Sequence, residues 1–101
     1  MMKSYTFYGL KFIMTCPMCP EQYDVVDSSG TQVGYVRLRH GWLSCSVPDC
    51  GDKLIYMHIF NKSLYAQWKG CFDDEKETVK YLKRIAGKIK KEIEKETTNG
   101  E

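Results

Sequence analysis

The hydrophobic pattern of this chain changes period once, near Gly70, and that change confines the fold to strands followed by a helix. Up to that point the alternation is twofold. Over residues 33–39, Val36 and Leu38 face one way while Tyr35, Arg37 and Arg39 face the other, the mark of a half-buried strand. Residues 42–47 place Leu43, Cys45 and Val47 on one face. Residues 53–60 set Ile55, Met57 and Ile59 against Leu54, Tyr56, His58 and Phe60. Shorter candidates lie at 4–15 (one or two strands around Gly9), 23–27 and 64–69. His40-Gly41 suits a two-residue hairpin turn, and Asp27-Ser28-Ser29-Gly30 carries the short polar side chains and glycine of a turn.

Beyond Gly70 apolar residues recur every three or four positions: Val79, Leu82, Ala86, Ile89 and Ile93. On a helix they form one stripe that must be buried. Asp73, Asp74, Glu75 and Glu77 favour the positive end of that helix, and Asp74 with Glu77 has capping-box spacing. The expected fold is therefore α+β. It is an antiparallel β-meander of four to five strands with one C-terminal amphipathic helix packed on it. With 101 residues the chain makes one domain, over residues 1–96, with a frayed tail at 97–101. The stripe lasts about two heptads, so burial on its own sheet is expected, with a helix-paired homodimer as the alternative.

The charge balance is +2, which excludes a bulk electrostatic pull toward polyanions; any such surface must come from placement. Two placements qualify. Lys80, Lys83, Arg84, Lys88, Lys90 and Lys91 fall between residues 79 and 91 with no acid among them. Of these, Lys80, Arg84, Lys88 and Lys91 share one helical face, opposite the apolar stripe. On the sheet, Tyr35, Arg37 and Arg39 share a face where an aromatic can stack a base and guanidinium groups can hold phosphates. The plain alternatives are a solvated helix face and the wet side of an antiparallel sheet. No apolar run is long enough to span a bilayer, and no membrane partner is expected.

Five cysteines, an odd number, favour a reducing compartment, so a cytoplasmic location is expected. Cys16-Pro17-Met18-Cys19-Pro20 and Cys45 with Val47-Pro48-Asp49-Cys50-Gly51 form two cysteine-bearing turns separated by a stretch long enough to fold back as a hairpin. They resemble the knuckles of the zinc-ribbon family. Proline replaces the usual glycine after Cys19, and Val47 stands where the second knuckle's first cysteine would be. The resemblance implies a structural Zn2+ held by Cys16, Cys19, Cys45 and Cys50. The same cysteines also suit a packed core or disulfides. His40 and His58 are substitute ligands if Cys45 belongs to the core. Cys71, just before the helix, is a candidate reactive thiol.

No phosphate-binding glycine loop, serine-hydrolase elbow or zinc-protease motif occurs, and the carboxylates before Gly70 sit at strand ends and turns. The expectation is a non-catalytic binding module, zinc-stabilised if the knuckles bind metal, whose partner is nucleic acid or a protein. A second resemblance adds an alternative. Residues 23–27, 33–41 and 71–75 are similar to small bacteriophage and mobile-element proteins. That implies an inhibitor or anti-defence role in a host cytoplasm, through a host protein or a sequestered small nucleotide.

Overall fold

The computed structural model describes residues 3–16, 21–49, 51–60 and 70–99. Six strands run in chain order: β1 (Ser4–Phe7), β2 (Leu10–Cys16), β3 (Glu21–Val26), β4 (Gln32–Arg39), β5 (Trp42–Val47) and β6 (Lys53–Ile59). One helix, α1 (Glu75–Asn99), follows. Each strand pairs antiparallel with the next, so the sheet order is the sequence order. The α+β meander with a C-terminal helix is as expected. The strand number is six rather than four or five, because residues 4–16 make two strands joined by a tight turn at Tyr8 and Gly9. The strand expected at 64–69 lies outside the described residues.

Hairpin chemistry accounts for the β4–β5 connection. His40 and Gly41 have φ values of 52° and 77°, the mirror-image turn whose twist matches that of paired strands. Side-chain oxygen satisfies the start of α1. The Asp74 carboxylate accepts the Glu77 N–H at 2.8 Å, while Glu77 reaches back to accept the Asp73 N–H at 3.0 Å. That is a capping box displaced by one residue on its return arm. The helix continues through Asn99, past the point where fraying was expected.

The core lies between α1 and one face of the sheet. Phe12, Tyr23, Val25, Val36, Leu38, Leu43 and Cys45 meet Leu82, Ile85, Ala86 and Ile89, all almost fully buried. The buried helical stripe also takes in Thr78 and Tyr81, while Val79 is half-buried and Ile93 remains exposed. The stripe is thus wider, and shorter at its C-terminal end, than the expected line from Val79 to Ile93. The sheet curls around the helix until both edges reach it. Lys3, just before β1, pairs with Glu75 at 3.7 Å, and Lys53 of β6 pairs with Glu92.

Gly34 sets how closely the sheet approaches the helix. A Cβ there would lie 3.0 Å from the Ile89 side chain and 3.4 Å from Val25. Gly34→Val is therefore expected to lower stability by about 1–3 kcal/mol through overpacking, read as the shift in a urea midpoint. A midpoint equal to that of the parent would mean that β4 and α1 are not in contact there.

Candidate functional site

The sheet face turned away from α1 carries the chemistry. Its side chains are set by the ladder register, because residues opposite one another on neighbouring antiparallel strands share a face with Cβ atoms about 5 Å apart. One row reads Gln22, Arg37, Ser44, Met57 from β3 to β6, and the next reads Arg39, Trp42, Ile59 from β4 to β6. Beside them Asp24, Tyr35 and Ser46 form a third row. Arg37, Arg39, His40, Trp42, Ser44 and Met57 line an open groove of about 420 Å3. Its floor is two ladder rows of a paired sheet, so its side chains stand on rigid backbone.

Trp42 is 53% exposed, and Met57 and Ile59 beside it are 39% and 41% exposed. These are large apolar surfaces left in water on the same face as two arginines. Neither Arg37 nor Arg39 takes part in an ion pair among the described residues. Tyr35 points the same way but is engaged: its hydroxyl donates to Gln22 Oε1 at 2.5 Å. That bond braces the row. The far end of this face is acidic. Gln32 Nε2 donates to Asp49 at 3.1 Å and to Asp24 at 3.4 Å. Burial, and secondarily the Asp49 charge, raise the Asp24 carboxyl above its ordinary range. The face is thus polarised, cationic around the β4–β5 hairpin and anionic at the opposite strand ends.

Sequence reasoning found Tyr35, Arg37 and Arg39 together on one strand face, and the structure keeps them there. It missed that Ser44 and Met57 complete the groove, since cross-strand register has no local signature. The second basic feature is also present. Lys80, Arg84, Lys88 and Lys91 are all exposed on α1, with Lys80 and Arg84 each 5.4 Å from the Tyr81 ring centre. That surface and the arginine groove lie on opposite sides of the molecule, because the sheet separates them.

Cys45 is fully buried on the helix-facing side of β5, and Cys16 is half-buried at the end of β2. Cys45 is a free thiol. β2 and β5 are three ladder steps apart in the sheet. Cys19 and Cys50 lie outside the described residues. Among the described residues no group of three or more His, Cys, Asp or Glu could hold a metal. Cys71 is disulfide-bonded rather than a free thiol. His58 sits in an aromatic cluster between β6 and α1, its ring 4.5 Å from Phe60 and 5.0 Å from Tyr81, with the Tyr81 hydroxyl 3.4 Å from Nε2. His40 is on the hairpin tip at the groove margin.

Burial pushes the Cys45 thiol up from 9.0 to about 12, and burial with a hydrogen bond to Glu75 pushes Tyr5 from 10.0 to about 12. Both groups hold their protons longer when folded than when unfolded. Their contribution is complete below the unfolded value and is lost as pH climbs through the folded one. Stability is therefore expected to fall from about pH 9 toward pH 12. In the same range Cys45 should resist alkylation by iodoacetamide until the chain unfolds; labelling in the native state would place the thiol in solvent.

Among the described residues, no helix is long and apolar enough to cross a membrane. No family model matches the chain, and neither a curated protein nor a solved structure matches it.

Proposed function

We propose that this protein is a non-catalytic binding module that holds single-stranded nucleic acid on the helix-free face of its sheet. One observation carries the reading. An exposed tryptophan stands directly opposite Arg39 in the ladder, with Arg37 in the adjoining row, over a groove of about 420 Å3. A base stacks on an indole face regardless of its identity, while guanidinium groups grip the flanking phosphates in bidentate fashion. The acidic far end of the same face repels phosphate and so fixes where a strand begins to be held.

The test is binding of a dye-labelled single-stranded tetranucleotide, read as fluorescence anisotropy, to the parent and to Trp42→Ala. Saturable binding that is weakened in the variant supports the reading. Binding that survives loss of Trp42 unchanged, or no binding at all, sinks it. A protein partner is the second reading, favoured by the exposed Leu54, Met57 and Ile59 along β6. On that reading, substituting Met57 and Ile59 abolishes capture of the partner while the tetranucleotide is ignored.

A further inference from the structure

We infer that the ligand is a strand long enough to leave the arginine groove, pass the β6 side of the sheet and lie along the outer face of α1, rather than a mononucleotide confined to the groove. The inference rests on the single-strand reading above and extends it. The outer face of α1 is the largest concentration of charge in the chain. Lys80, Lys83, Arg84, Lys88, Lys90 and Lys91 are all exposed within twelve consecutive residues, with no acid between them. None of the six belongs to an ion pair among the described residues. Among the described residues, the ion pairs on the helix use Lys3 and Lys53 instead, and engage Glu75 in its first turn and Glu92 in its C-terminal third. Like charges at i and i+4, as in Lys80, Arg84 and Lys88, oppose helix formation by a few tenths of a kcal/mol per pair. Here the protein's own acids do not relieve them.

The geometry joins the two cationic surfaces. From Trp42 the ladder leads through Ile59 to β6. Behind β6, His58 and Phe60 pack on Tyr81, the latter with ring centres 5.2 Å apart. Lys80 and Arg84 flank that same Tyr81 ring. The groove and the basic helix face thus lie on opposite sides of two stacked layers, the sheet and a helix about 10–12 Å across, joined around the β6 edge. A flexible polyanion can cover that distance, whereas a single nucleotide cannot touch both.

The test compares a tetranucleotide with a strand of about 16 nucleotides, the upper end for one small binding fold. Both are oligothymidylates, titrated against the parent protein and the triple variant Lys83→Gln, Lys88→Gln, Lys91→Gln. These lysines are exposed and take part in no ion pair among the described residues, so the tetranucleotide affinity is expected to be unchanged, which also reports that the variant is folded. The longer strand is expected to bind the variant about 50-fold more weakly at 0.15 M salt, with a log K against log salt slope shallower by about 2. Comparing variant with parent on each strand removes the advantage of the many registers on a long oligonucleotide. An equal loss on both strands, or an unchanged salt slope on the long one, overturns the inference while leaving the groove reading intact. If the tetranucleotide fails to bind the parent and Trp42→Ala leaves long-strand binding untouched, the groove reading fails and this inference falls with it.

Discussion

Replacing Glu21 with alanine is expected to lower folding stability by about 3 kcal/mol, a large part of what a domain of this size has. Glu21 is a buried carboxylate at the start of β3, 9% exposed. One oxygen accepts the Tyr23 hydroxyl at 2.7 Å, and the other accepts the Phe72 N–H at 2.9 Å. Its own N–H donates to the Gly70 carbonyl at 2.6 Å. Alanine leaves both donors buried without acceptors, at about 1–3 kcal/mol each. The effect should spread, because Phe72 stacks on Tyr81 with ring centres 5.9 Å apart and so docks the first turns of α1 on the sheet. Burial and the Glu21 hydrogen bond hold the Tyr23 phenol far above its ordinary range, so this tyrosine stays a donor at any working pH. Urea denaturation of Glu21→Ala and Glu21→Gln is the measurement. Gln keeps one acceptor and should fall between Ala and the parent. An Ala variant within about 0.5 kcal/mol of the parent would mean that this junction is open to water.

Trp42→Ala should weaken single-strand binding by about 1–3 kcal/mol, or about 5- to 150-fold, the range for losing one aromatic platform under a base. The same substitution should barely change stability, since about half of the side chain is already in water and its ladder partners, Arg39 and Ile59, are themselves exposed. This separation of effects distinguishes a binding residue from a packing one. A variant that melts early and binds normally would assign Trp42 to the fold. One that melts normally and binds normally would remove it from the interface.

Much of this was legible because burial of one face imposes a rule on the chain. Strands alternate, so Val36 and Leu38 had to face opposite to Arg37 and Arg39, and the structure keeps that division. Leu43, Cys45 and Val47 likewise all face the core. A helix on one side of a sheet must repeat its apolar positions at three and four, and Leu82, Ala86 and Ile89 do so. The width of that stripe was not legible. It takes in Tyr81 and Ile85 because the sheet curls around α1, and it loses Ile93 to solvent at the far end. Curvature is a property of six paired strands together and leaves no local period.

The amino-acid sequence by itself determined the element types, the switch from twofold to helical period, the chemistry of the turns and which side chains share a strand face. Each of these depends on neighbours within a few positions. Only the tertiary structure decided which face of β6 meets the helix, that Trp42 and Met57 join the arginines, and that the basic helix face lies across the sheet from them. It also decided that Cys16 and Cys45, which the knuckle resemblance assigns to one site from two separate turns, stand on strands three steps apart. All four depend on strand order and register, which are set by how the whole apolar surface is covered at once, not by any segment alone.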